Sequence, residues 1–225
     1  MSVFSQAADW LSDSAHWSGD DGVPHRLVEH LGYTAETVVI AGLIAIPIGL
    51  WIGHTSRFRS LAVGVSGALR ALPTLGLLTF AVTLIGIGLT PAIIALVVLS
   101  IPPLLAGAYS GLESVDRQTI DAARAIGMTE WQILTKVEVP LALPLIVGGI
   151  RSATLQVLAT ATVAAYIGLG GLGRYIIDGQ AVQDYPQMLA GSFLVVVLAL
   201  VLDGIFAGLQ RLALGSRPSL APSRA

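Results

Sequence analysis

From Ala71 to Leu112 the chain carries no charged residue, a block of 42 positions. One crossing of a bilayer needs about 20 consecutive, mostly apolar residues, so this block alone is long enough for two. A soluble core is a poor alternative. Only 12% of the residues are charged, against about 25% in ordinary soluble domains. The apolar residues also run in long stretches instead of alternating with polar ones. The sequence therefore reads as an all-α, polytopic membrane protein lying in a lipid bilayer.

Five spans are expected, at about 31–53, 61–88, 91–111, 143–169 and 188–209. The second is interrupted at Pro73 and the third carries Pro102 and Pro103. The second has 28 residues, whereas two crossings with a turn need about 40, so one long, broken helix fits better. This divides the chain into an N-terminal segment 1–28, interfacial or disordered, a transmembrane domain 29–212, and a tail 213–225. Orientation follows from Lys and Arg near the span ends. Arg57, Arg59, Arg117, Arg124, Lys136, Arg211, Arg217 and Arg224 fall on one side, and Arg26 and Arg174 on the other. The N-terminus is then outside and the C-terminus cytoplasmic.

One polar segment, residues 113–140, interrupts the apolar spans on the cytoplasmic side. Asp116 suits the N-cap of a helix running through Ile126, and Gly127 a left-handed residue that ends it. Thr129 with Gln132 three positions on forms a capping box for a second helix. That helix carries Trp131, Leu134 and Val137 on one face, with Pro140 and Pro144 marking its end and the start of the fourth span. A capped polar segment in so apolar a chain must face water, which makes it a docking surface for something soluble.

The order Asp121-Ala122-Ala123, three residues, Gly127, nine residues, then Val137-Glu138-Val139-Pro140 resembles the E-A-A-x3-G-x9-I-x-L-P signature (EAA motif) of ABC importer permeases. Asp replaces Glu, and Val replaces Ile and Leu. The resemblance implies a type I ABC importer permease (MetI-like) fold of about five transmembrane helices with a cytoplasmic coupling helix. It implies that Asp121, Ala122, Ala123 and Gly127 contact a separate ATPase subunit and that Pro140 marks the return to the membrane. Arg124 and Glu130 become candidates for ion pairs at the rim of that contact. Three further strings resemble the glycine betaine, carnitine and choline branch: Ala71-Leu72-Pro73-Thr74-Leu75, Gly148-Gly149-Ile150-Arg151, and Ala165-Tyr166 through Gly173. The resemblance then implies an inner-membrane subunit working with ABC ATPases, a second permease subunit and an extracytoplasmic binding protein. It also implies a small quaternary-ammonium solute, with the cation-selecting aromatic cage in the binding protein.

Other chemistry is not supported. Gly168 to Gly173 fits G-x-G-x-x-G, but it follows a membrane helix instead of a strand, and position 193 is Phe where an acidic residue is needed. No P-loop, nucleophile elbow or H-E-x-x-H spacing occurs, so no catalytic residue, metal site or cofactor is expected. A net charge of −2 does not suggest nucleic acid. Candidates for the translocation path are Arg70, Pro73, Pro102 and Tyr166, because intramembrane charges and backbone breaks need protein or a watery cavity to satisfy them. An Arg151–Asp203 pair is a second expectation. Gly42, Gly49, Gly64, Gly67, Gly148 and Gly149 are expected at close helix contacts. The competing classes are a permease for another small solute such as an amino acid, an ion-coupled secondary transporter, and a membrane scaffold that recruits an ATPase.

Overall fold

The computed structural model describes residues 2–215, all of whose regular elements are helical. Arg217 and Arg224, used above for orientation, and all of the tail past residue 215 lie outside the described residues. In chain order the helices are α1 (Val3–Ser12), α2 (Val23–Thr55), α3 (Arg59–Arg70), α4 (Thr74–Ile85) and α5 (Leu89–Glu113). They continue as α6 (Arg117–Ala125), α7 (Glu130–Ile133), α8 (Val139–Ala164), α9 (Gly173–Val182) and α10 (Tyr185–Gly215).

Four helices are long and apolar enough to cross a membrane: Val23–Thr55, Leu89–Glu113, Glu130–Ile167 and Tyr185–Leu212. The pair α3 and α4, bent by 86°, makes a fifth if it is one broken span. The bend falls at Pro73, which stands just before α4 with an extended ψ of 126°. Proline's ring also disfavours helix at Leu72.

The boundary ahead of the first span differs from the sequence reading. Helix α2 begins at Val23, so the division between residues 28 and 29 cuts through it. Gly22 serves as N-cap and Pro24 sits in the first turn, where its missing N–H costs nothing. The polar first turns stay helical because Arg26 pairs with Asp21 and with Glu29. Ahead of them α1 packs along α10 and buries Ala7. Its Trp10 stacks on His16 and meets Tyr175 edge-on.

Helix α5 is the central element, flanked by α2 and α8. The contact surfaces are made of small residues. A Cβ on Gly107 would stand 2.7 Å from the Cα of Gly149, and one on Gly49 2.6 Å from the Cβ of Ala108. Close backbone approach of this kind maximises dispersion contacts where lipid removes the hydrophobic drive between helices. Of the glycines expected at contacts, Gly49 and Gly149 are there. Gly148 meets the side chain of Gln210, and Gly42 has only an ordinary contact with Ile46. Gly64 and Gly67 face open space, because they lie on faces of α3 that no other described helix covers.

The proline break in α5 is filled by protein. Pro103 has no N–H to offer the carbonyl of Leu99, and the Gln156 side-chain amide of α8 donates to that oxygen at 2.7 Å. At the far end of α8 the glycine run forms a tight turn. Gly168 and Gly171 have φ of +84°, a region open to glycine. The Gly171 N–H donates to Glu29 at 2.9 Å, and His30 reaches the Leu158 carbonyl at 2.9 Å. The helix that follows, α9, was not foreseen. Its Tyr175 hydroxyl donates to the Asp21 carbonyl at 2.6 Å, and burial pushes that phenol up to about 12.

Candidate functional site

The segment between α5 and α8 folds as its local sequence dictates. The Asp116 carboxylate accepts from the Gln118 N–H at 2.9 Å and starts α6. Gly127 takes φ +85°. Its N–H donates to the Arg124 carbonyl at 2.9 Å, and the Met128 N–H to that of Ala123 at 3.2 Å. These two bonds are the Schellman pattern that closes a helix C-terminus. Thr129 and Gln132 then form the full capping box: the Gln132 N–H donates to Thr129 Oγ1 at 3.3 Å, and the Thr129 N–H to Gln132 Oε1 at 2.9 Å.

Pro140 does not end the second helix. A π-helical stretch, Leu134–Glu138, carries α7 straight into α8, with the Val139 N–H bonded to the Leu134 carbonyl. The wider π turn takes up one extra residue, and Pro140 falls in the first turn beyond it. The polar segment and the fourth span are therefore one continuous helix over Glu130–Ile167. The expectation that Pro140 and Pro144 separate them is corrected.

The residues of the signature divide by face. Asp121, Ala122, Arg124 and Gly127 are exposed, and a Cβ on Gly127 would meet nothing within 4 Å. Ala123 is only 6% exposed and faces the chain's own helices. Two large apolar side chains stand out in this polar surface: Ile126 is 80% exposed and Trp131 72%. Sequence reasoning placed Trp131 with Leu134 and Val137 and did not single out Ile126. Across the Gly127 turn, Arg124 grips Glu130 with two bonds of 2.7 and 3.0 Å and approaches Asp121 at 3.4 Å. The hydrogen-bonded Glu130 carboxylate, aided by Asp121, raises the Arg124 pKa above its usual value.

Beside this surface lies an open polar cavity of about 470 Å³ between the ends of α2 and α5 and helix α6. His54, Arg59, Glu113, Asp121 and Glu138 are among its lining residues. Glu138 is 3% exposed and accepts a hydrogen bond from His54 Nδ1 at 2.5 Å. Neither residue was singled out from the sequence, because 84 positions separate them.

The four path candidates are not brought together. Arg70 and Pro73 are exposed at the α3–α4 bend, and Arg70 has no ion-pair partner among the described residues. Tyr166 is exposed just past the end of α8, and Pro102 is buried in the α5 core. The Arg151–Asp203 pair is formed, bidentate, with both bonds 2.7 Å. Gln210 extends it, accepting from Arg151 at 3.0 Å and donating to the Pro144 carbonyl at 3.2 Å. Among the described residues no group of three His, Asp or Glu side chains is placed to hold a metal ion.

Residues 45–213 match the family described as binding-protein-dependent transport system inner membrane component. The chain is 34% identical over 187 residues to the glycine betaine/carnitine/choline transport system permease protein OpuCB of Bacillus subtilis (strain 168), covering 83% of this chain and 86% of that protein. It is also 34% identical over 205 residues to the osmoprotectant import permease protein OsmW of Salmonella typhimurium, covering 88% and 95%. Among solved structures, a chain of the MetNI methionine ABC transporter in an inward-facing conformation aligns with a TM-score of 0.73. That alignment covers 85% of this chain and 95% of the other at 24% identity, and it speaks to the fold alone.

Proposed function

This chain belongs to the binding-protein-dependent transport system inner membrane component family, and from that premise we propose that it is the permease subunit of an ATP-driven importer of a small osmoprotectant. Glycine betaine, carnitine or choline is the solute class that its relatives' names support. The protein is a multi-pass membrane protein. Its N-terminus is outside and the α6–α7 segment is cytoplasmic, where the excess of Lys and Arg belongs.

The observation that carries the reading is the α6–Gly127–α7 surface. It is polar, doubly capped and rigid, yet it exposes Ile126 and Trp131. An exposed aromatic such as Trp131 is the kind of side chain that anchors protein–protein interfaces. An ATPase subunit docks there, over Asp121, Ala122, Arg124 and Gly127, with Ala123 anchoring α6 from behind and Pro140 at the exit to α8. Hydrolysis by that separate subunit drives alternating access, and a second permease subunit completes the path. Arg70, Pro73 and Tyr166 are the path-facing candidates on exposed surfaces. Pro102 acts through the packed core. A binding protein outside delivers and selects the cation, so no aromatic cage is needed in this chain.

Gly127→Asp tests this. Aspartate is among the few residues that tolerate the left-handed region, so the turn survives while a charge is added where the structure leaves open space. Uptake of labelled glycine betaine, carnitine and choline is measured in cells expressing the complete system. The variant is expected to reach the membrane at the wild-type level and to lose most uptake. Unchanged uptake would remove the docking role of this surface.

A further inference from the structure

His54 sits in the last turn of α2, and its ring is held between two carboxylates of the helix that leads into α8. Nδ1 is 2.5 Å from Glu138, inside the π-helical stretch, and Nε2 is 3.4 Å from Glu130, in the first turn of α7. Nδ1 is hydrogen-bonded to Glu138, and Nε2 lies within ion-pairing distance of Glu130. Glu130 in turn holds Arg124 of α6 by two hydrogen bonds. A continuous polar chain therefore runs from α6 through Glu130 and His54 to the end of α2, with a branch into the start of α8 at Glu138.

The placement is costly unless it is used. Glu138 is almost fully buried, and a buried carboxylate is unfavourable without a good partner. It also stands in a π-helical stretch, a deformation that is frequent at functional sites. The cavity beside His54 leaves α6 and the end of α2 in little direct contact, so the polar chain ties them together there.

We infer that His54 is a positioning residue of the transport cycle: it makes the first span follow the ATPase-facing segment, by clamping α2 to Glu138 and Glu130 at once. This rests on the docking of the ATPase at α6. Motion of α6 reaches α8 directly through the continuous Glu130–Ile167 helix. Helix α2 packs on α5 and α8 along its apolar length, and at its cytoplasmic end His54 joins it to Glu130 and Glu138. Loss of the clamp leaves docking and hydrolysis intact and frees the cytoplasmic end of α2 from the segment that moves.

The experiment uses the complete complex in proteoliposomes and reads ATP hydrolysis and glycine betaine uptake in the same sample. His54→Ala alone leaves Glu138 buried without its partner and can fail to insert. The informative variant is therefore His54→Ala with Glu138→Gln, which removes the imidazole and the buried carboxylate together. It should co-purify with the ATPase as wild type does and hydrolyse ATP. Its uptake per ATP hydrolysed should fall about fivefold or more, the span of typical coupling energies. His54→Lys, a cation with room to extend into the cavity, should recover most of that ratio. Uptake per ATP unchanged in the double variant overturns the inference, and so does a proportional loss of hydrolysis and uptake together. Failure of the docking reading looks different: the ATPase would bind Gly127→Asp as tightly as wild type, and His54 would have no moving helix to follow, which overturns the inference as well.

Discussion

Gly107→Val should prevent the protein from accumulating in folded form. The reason lies in the α5–α8 crossing, where a Cβ on Gly107 would stand 2.7 Å from the Gly149 Cα and 3.0 Å from both the Gly149 nitrogen and the Leu145 carbonyl oxygen. All three obstacles are main-chain atoms of α8, so no rotamer change relieves them. Ordinary overpacking costs about 1–3 kcal/mol because side chains shift. Here two helix axes must separate, and the loss exceeds that range. Separation would also pull Gln156 from the Leu99 carbonyl that the Pro103 break leaves unpaired, exposing a main-chain acceptor at membrane depth, where nothing replaces its partner. Membrane-fraction level and thermal stability in detergent measure the effect. Gly64→Ala is the control: a Cβ there meets nothing within 4 Å, and the same readouts should be unchanged.

Arg151→Met should cause a loss nearly as large, and a second substitution should reverse it. Arg151 of α8 and Asp203 of α10 exchange two hydrogen bonds of 2.7 Å. Removing the arginine leaves a carboxylate inside a span with no counter-charge, an arrangement that membranes tolerate poorly. Gln210 loses its acceptor role at the same time. Arg151→Met with Asp203→Leu removes both charges, and apolar replacement of an ion pair is commonly neutral or stabilising. The expected order of membrane level is therefore wild type and double variant alike, with Arg151→Met and Asp203→Leu well below. Full levels in both single variants would show that the pair does not hold α8 to α10.

What the sequence made legible is local. Asp116, Gly127 and the Thr129–Gln132 box each act within one turn of helix, so their geometry follows from residue type and spacing. Pro73 broke the second span for the same reason, since proline's effect on its own φ and on the preceding residue needs no tertiary partner. Where an outcome depended on a distant segment, the sequence was silent. Pro140 looked like a helix end because proline usually is one, and a π-helical stretch preceding it absorbed the mismatch. Gly107 was passed over while Gly64 was named, since only the rotation of each helix decides which glycine meets a neighbour. His54 and Glu138 lie 84 positions apart and meet only when α2 and α8 pack. The signature was legible as a spacing, but which side of α6 it shows to water was not. Ala123 turned inward, and Ile126 and Trp131 turned out.

The central claim is that this chain moves an osmoprotectant at the expense of ATP hydrolysed by a docked partner. The most direct test is uptake of labelled glycine betaine, carnitine and choline into proteoliposomes holding the complete complex, with binding protein outside and ATP inside, and with no ion gradient. The account predicts uptake of at least one of these solutes that stops when either internal ATP or the binding protein is withheld. Uptake that continues without ATP and requires an ion gradient would contradict it, and would make the protein a secondary transporter.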